Sequence, residues 1–275
     1  MRMDEDKRFL SAWILTRLGQ LRRERPTTRR GPSSVTVLAY HFWEASRIDP
    51  AFDAIECALR ETWFHCGMMK TVVVLNHPTP HIERFAESAS PWVSLVQESS
   101  LIPGKIFSMS EDCNSRLHTR FDTPSVLIVQ NDGFPLRDGL LPFVGKYDFI
   151  GAPYIRDIWW KRSIATLLGC WVSNGGFSLR SHEICEKAAF YWKTKYRTLS
   201  DCHAASEDIF YTQTLPLHER AYRRSVKIAD CREAIRFSYD AITPYTREVL
   251  PFGFHGAKAL ARLSGQFPGL IPKAR

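Results

Sequence analysis

The sequence predicts an α/β protein built on a mostly parallel central sheet with helices covering both faces. Two observations lead there. Four short runs are apolar on successive residues: 35–40 (VTVLAY), 71–76 (TVVVLN), 92–97 (WVSLVQ) and 125–130 (SVLIVQ). Stretches with helical periodicity separate them. Strands apolar on both sides belong to parallel sheets sandwiched between helices. With 275 residues, of which 44% are hydrophobic and 24% charged, the chain has the make-up of a globular protein of one large domain or two small ones. That composition excludes a mainly disordered chain, a collagen-like repeat and a small disulfide scaffold.

In chain order, Leu10, Trp13, Ile14, Leu18 and Leu21 recur at helical spacing, with Arg17, Arg22, Arg23 and Arg25 among and after them. This is a short basic amphipathic helix. It suits peripheral contact with a membrane surface through residues 9–25, or packing on its own domain. Residues 26–34, rich in Arg, Thr, Pro and Ser, read as a linker. The expected layout is therefore a basic segment over 1–34, a main domain over 35–256 and a basic tail over 257–275. After the first strand, Asp49-Pro50 offers an N-cap followed by proline at the first helical position, and Phe52, Ile55, Leu59 and Trp63 follow at helical spacing. Residues 112–121 read as a helix and 147–153 (YDFIGAP) as a strand ending in a turn. The second half is irregular and rich in aromatics, with Trp159, Trp160 and Trp171 near Lys161 and Arg162.

The seven cysteines are odd in number and form no CxxC pair. Zinc ribbons and a complete disulfide set are thereby disfavoured, and the thiols read as buried and free in a reducing compartment. There is no secretory signal pattern and no run of ~20 apolar residues able to span a bilayer. The expected location is cytoplasmic, with possible attachment of the N-terminal helix to the inner face of the membrane. The net charge of +8 is uneven: residues 1–34 carry +5 and 256–275 carry +4, leaving 35–255 at −1. A near-neutral body argues against nucleic acid as a partner.

Sheets of this type bind ligands beyond the carboxyl ends of their strands. The polar residues there are His41, Trp43 and Glu44 after the first strand, Asn76 and His77 after the second, and Asn131-Asp132-Gly133 after the fourth. GxGxxG after the first strand, GxxxxGK[ST] and GxSxG are all absent, which disfavours a dinucleotide fold, a P-loop and a nucleophile elbow. Asp132 suits coordination of a divalent cation on a diphosphate, and Asn-Asp-Gly is equally good turn chemistry. Asn174-Gly175-Gly176 allows close backbone approach to a ligand or an ordinary hairpin loop. Glu207-Asp208, after Ser206 as a helix N-cap, offers a general base or plain capping. His255, between glycines and aromatics, is a metal ligand, a phosphate partner or a core histidine.

Together, a strand ending in QND, then YDFIGAP, NGGFSLR, SED and PFGFHG stand in an order that resembles a family of bacterial and fungal proteins with a glycosyltransferase-like domain. The resemblance spans about residues 35–256. That family is similar to GT-A-type, nucleotide-sugar-dependent glycosyltransferases, whose inverting members carry a D-x-D metal motif, a Gly-Gly block and an E-D pair in the same order. The resemblance implies a GT-A-like single domain and transfer of a sugar from a nucleoside diphosphate sugar to a hydroxyl of a glycan or lipid-linked acceptor. It makes Asp132 the last acid of D-x-D and a metal ligand with His255, the cofactor being Mn²⁺ or Mg²⁺. Glu207 or Asp208 becomes the catalytic base, and Gln130, Asn131, Asn174, Gly175, Gly176, Phe177 and Arg180 line the substrate. One departure matters: Gln130 stands where the first acid of D-x-D belongs, and offers a metal only a neutral oxygen. Lys161, Arg162 or Arg180 could then stabilise the leaving phosphate. The same departure motivates the alternative of a non-catalytic nucleotide- or carbohydrate-binding protein.

Overall fold

A computed structural model describes residues 2–24, 29–44, 47–153, 173–197, 206–240 and 250–272. Its centre is a six-stranded sheet in the order β3-β2-β1-β4-β7-β6, formed by β1 (Val35–His41), β2 (Thr71–Leu75), β3 (Val93–Gln97), β4 (Ser125–Val129), β6 (Phe149–Pro153) and β7 (Ser173–Ser181). The first four pair in parallel, as their apolar runs predict. β7 runs antiparallel to both β4 and β6. A second sheet of three short strands, β5 (Gly133–Pro135), β8 (Ser238–Asp240) and β9 (Gly253–His255), has the order β5-β9-β8.

The period-2 alternation of strand side chains feeds two cores. Val35, Val37 and Ala39 of β1, Val73 and Leu75 of β2, and Leu127 and Val129 of β4 face helices α2 (Ile48–Cys66) and α3 (Pro80–Ser88), meeting Phe52, Ile55, Leu59, Ile82 and Phe85. Leu38, Tyr40, Val72, Val74, Val126 and Ile128 face the other way, onto α4 (Ile106–Arg116) and α5 (His182–Tyr191). α4 lies earlier than the helix expected over 112–121, and Leu117–Thr119 form only a 3₁₀ turn. The expected cap of α2 also differs. Its N-cap is Arg47, without a side-chain bond, and Asp49 sits in the first turn, where it accepts a hydrogen bond from Thr79.

α1 (Arg2–Arg23) and α6 (Ala257–Gln266) build a third core beside the small sheet. Trp13, Ile14, Leu18 and Leu21 pack with Cys57, Ala58, Phe134, Phe254, Leu260 and Leu263. The apolar stripe of α1 is thus covered by the protein's own residues, not turned to a lipid surface. Two of its basic side chains are engaged as well: Arg17 pairs with Glu61, and Arg22 with Asp53 and Glu56. The two basic ends of the chain are accordingly part of the fold as far as it is described. Among the described residues, no helix is long and apolar enough to cross a membrane. Cys57, Cys66, Cys113 and Cys185 are buried free thiols, whereas Cys231 is disulfide-bonded, which corrects the expectation for that residue.

Candidate functional site

The fourth strand delivers the site's first residues. β4 ends at Val129, and Gln130 closes a tight turn on Gly133: its N–H donates to Gly133 O at 2.9 Å and its carbonyl accepts from Gly133 N at 3.1 Å. Asn131 and Asp132 are the tip of this turn. Gly256 N donates to Asp132 O at 2.7 Å, tying the tip to the end of β9. Within the small sheet, β9 sets His255 opposite Gly133 on one side and opposite Asp240 on the other.

The imidazole therefore stands between acids. His255 Nε2 is 3.3 Å from Gln130 Oε1 and 3.6 Å from Asp132 Oδ1, while Nδ1 is 3.7 Å from Asp240 Oδ2. Burial disfavours its charge, but Asp240, Asp132 and Asp208 together outweigh that and raise the His255 pKa. The Nε2 side carries two oxygens and one nitrogen at separations close to those of neighbouring ligands around a small octahedral cation, ~3 Å for bonds of 2.0–2.1 Å. These donors fit Mg²⁺ or Mn²⁺, with Gln130 contributing a neutral oxygen. Asp240 was not singled out in the sequence. Its signal was there: FSYD alternates apolar and polar residues and ends in an acid, but three residues are too short to be read as a strand.

The double glycine lies between this cluster and the paired acids. A Cβ on Gly176 would stand 2.1 Å from His255 Nε2, and one on Gly175 would stand 2.3 Å from Glu207 Oε1. A side chain at either position would displace the imidazole or the carboxylate, which pack against the backbone of β7. Asn174 Oδ1 accepts from Gly176 N at 2.8 Å, and Asn174 Nδ2 donates to Asp240 Oδ2 at 2.9 Å. The segment read as irregular is thus a nine-residue strand of the main sheet. Its alternation begins only after the glycines, with Phe177 and Leu179 facing the α2 side.

The two acids differ in setting. Glu207 is buried, with Ser110 donating to Oε2 at 3.1 Å and Arg180 Nη2 3.4 Å from Oε1. Burial first, then repulsion from Asp208, raises its carboxyl pKa, with Arg180 pulling the other way. Asp208 is half-buried at the helix start, and its Oδ1 accepts from Ser206 Oγ and from Ile209 N at 2.7 Å. Two expected substrate contacts fall elsewhere. Phe177 is fully buried, stacked on Phe237 with ring centroids 5.1 Å apart. Arg180 is fully buried between the rings of Phe149 and Tyr211, each 5.0 Å from its guanidinium carbon. Both support the site from behind. Trp159, Trp160, Lys161, Arg162 and Trp171 lie outside the described residues.

Further along the carboxyl edge, His41 is buried at the end of β1, where its Nε2 lies 2.9 Å from Ile48 O and its Nδ1 has no partner. Burial pushes its pKa down to about 4. Asn76, beyond β2, is also buried; it donates to Trp43 O at 3.0 Å and leaves Oδ1 without a partner. Among the described residues, Asp53, Glu56 and His81 form a separate group with the spacing of metal ligands. Arg22 bonds to both of its carboxylates and Arg60 to Glu56, so that group is a compensated ion cluster.

A family model matches residues 108–255, more than half of the chain, and takes in the turn, the double glycine, the acid pair, Asp240 and His255. The chain belongs to DUF5672, a family of proteins of unknown function. No curated protein matches it. Similar solved structures include the mannosyltransferase PcManGT of Pyrobaculum calidifontis in complex with GDP-Man and Mn²⁺, at 17% identity over 67% of this chain and 56% of that one, with a TM-score of 0.36. The mannosyltransferase Ktr4p of S. cerevisiae in complex with GDP matches at 9% identity over 66% and 70% of the two chains, with a TM-score of 0.41. The apo-form glycosyltransferase GlyE of Streptococcus pneumoniae TIGR4 matches at 12% identity over 83% and 54%, with a TM-score of 0.46. This DUF5672 chain spans little more than half the length of PcManGT and of GlyE.

Proposed function

We propose that this DUF5672 protein is a glycosyltransferase that moves a sugar from a nucleoside diphosphate sugar to an acceptor hydroxyl of a glycan or lipid-linked glycan, with inversion at the anomeric carbon. The catalytic unit is the domain over 35–256. One observation carries the reading. Residues up to 125 positions apart, Gln130 and Asp132 with His255, meet at the carboxyl edge of the sheet. Gln130 and His255 face the backbone of Gly176, while Glu207 and Asp208 face that of Gly175. A diphosphate end and a hydroxyl-activating end thereby adjoin through two residues without side chains.

Gln130, Asp132 and His255 would hold the divalent cation, which when bound would neutralise the charge that develops on the departing diphosphate. Asp208 is the better placed general base, because it is half-buried beside Gly175 and retains access to solvent. It would accept the acceptor's hydroxyl proton as the oxygen attacks the anomeric carbon. Glu207, enclosed by Ser110 and Arg180, would hold the helix start on which Asp208 sits. The donor's nucleoside would lie toward His41 and Asn76, whose partnerless polar atoms end adjacent strands. In a transfer and hydrolysis assay with nucleotide sugars and Mn²⁺, Asp208→Asn should lower kcat by about 10²–10⁴-fold while donor affinity is kept. Full turnover in that variant would refute the assignment.

A further inference from the structure

We infer that Asp240 is a positioning residue: its one carboxylate orients the His255 ring for a divalent cation and anchors Asn174 beneath the double glycine. The inference rests on the cation reading above and assigns a role to a residue outside the ligand set.

Three features of the geometry support it. Parallel pairing of β8 with β9 fixes Asp240 beside His255 in register, so the contact is set by the backbone and not by a flexible side chain. His255 Nδ1 is buried without a hydrogen-bond partner, and the acid facing it is Asp240, at 3.7 Å. The same oxygen, Oδ2, already accepts from Asn174 Nδ2 at 2.9 Å, and Asn174 in turn accepts from Gly176 N. A contraction of under 1 Å would make Nδ1–H a donor to Oδ2. That proton on Nδ1 would keep the Nε2 lone pair turned toward Gln130 and Asp132.

A histidine that ligates a metal presents one nitrogen to the ion and donates its other N–H to a carboxylate, carbonyl or water, which fixes the tautomer and the ring's orientation. Losing such a partner typically weakens metal binding about 10–100-fold. Here the partner would do a second task. Because Asn174 shares the carboxylate, ring orientation and the conformation of the double glycine are set together. Asp240 would touch no reacting atom and would act through His255 and Asn174.

The test is Mn²⁺ binding by isothermal titration calorimetry to the full chain, for the wild type, Asp240→Ala, Asp240→Asn, His255→Ala and the double variant Asp240→Ala/His255→Ala. Asp240→Ala should weaken Mn²⁺ binding by about 10–100-fold. In the His255→Ala background the same change should have less than about a twofold effect, because residues acting through one another are non-additive. A loss of equal factor in both backgrounds would mean a merely structural role and would overturn the inference. So would wild-type affinity in Asp240→Ala. If that variant fails to fold, Asp240→Asn takes its place, and unchanged affinity there overturns the inference as well. Absence of Mn²⁺ binding by the wild type would instead overturn the cation reading itself, and this inference with it.

Discussion

A methyl group on either glycine of the Asn174-Gly175-Gly176 block should injure a different half of the site. In Gly176→Ala the new Cβ would fall 2.1 Å from His255 Nε2, 2.4 Å from its Cδ2 and 2.7 Å from Gln130 Oε1. Ordinary carbon–nitrogen contact is about 3.5 Å, so the ring must retreat by over an ångström. Retreat is hindered, because Asp240 closes the Nδ1 side. Overpacking of this kind costs about 1–3 kcal/mol, or roughly 2–12 °C in melting temperature for a domain of this size. The displaced imidazole should weaken Mn²⁺ binding by more than about tenfold, on the scale of a disturbed metal site. In Gly175→Ala the methyl meets Glu207 Oε1 at 2.3 Å and Arg180 Nη2 at 2.7 Å, away from His255. That variant should keep its Mn²⁺ affinity and lose turnover by about 10²-fold, the usual consequence of misplacing a catalytic group by an ångström. Calorimetric Mn²⁺ titration and steady-state transfer assays read the two effects separately. Equal losses in both variants, or wild-type Mn²⁺ affinity in Gly176→Ala, would refute the division of the site.

Arg180→Met leaves Glu207 buried without its cation and should cost about 3–5 kcal/mol at neutral pH. The folded pKa of Glu207 is raised, so its contribution is fully present below the unfolded value and lost as pH rises through the folded one. The deficit of Arg180→Met should therefore be larger at pH 8 than at pH 5 in urea denaturation; a pH-independent deficit contradicts the pairing. His41 has the opposite sign. Its folded pKa of about 4 lies below the usual value, so its contribution is present above pH 6.5 and lost as pH falls through 4. That loss amounts to about 3 kcal/mol. His41→Gln should flatten this acid limb, and an unchanged slope would rule His41 out as its source. Leu18→Ala, in the core shared by α1 and α6, should cost about 2–5 kcal/mol by thermal or urea melts; a cost below about 0.5 kcal/mol would show that α1 is not docked.

Sequence legibility followed local pattern strength. β1, β2, β3 and β4 are runs of apolar and β-branched residues that need no partner to be recognised, and they occur within a residue or two of their expected bounds. β7 was obscured because Asn174-Gly175-Gly176 removes the side chains that would show alternation, and because its glycines answer to His255 and Glu207, distant in the chain. The small sheet was hidden by length: strands of three residues carry no periodicity, and only pairing reveals Asp240. α1 was legible as an amphipathic helix, yet its amphipathicity cannot say what covers the apolar side; Glu56 and Glu61 on α2 decide that by pairing with Arg22 and Arg17. Arg180 misled for a related reason. An arginine in a functional block suggests a phosphate contact, and only the enclosing rings of Phe149 and Tyr211 turn it inward.

The proposed transfer requires a single cation-dependent donor site at the carboxyl edge. Thermal melts of the wild type and of Asp132→Ala with UDP-, GDP-, dTDP- and CDP-sugars, with and without Mn²⁺, test it most directly. One donor at about 100 times its Kd should stabilise the wild type by about 2.7 kcal/mol, or roughly 5–10 °C, with Mn²⁺ present. The shift should largely vanish without the metal and in Asp132→Ala. No shift with any donor, or an equal shift in the variant, would contradict a cation-dependent donor site.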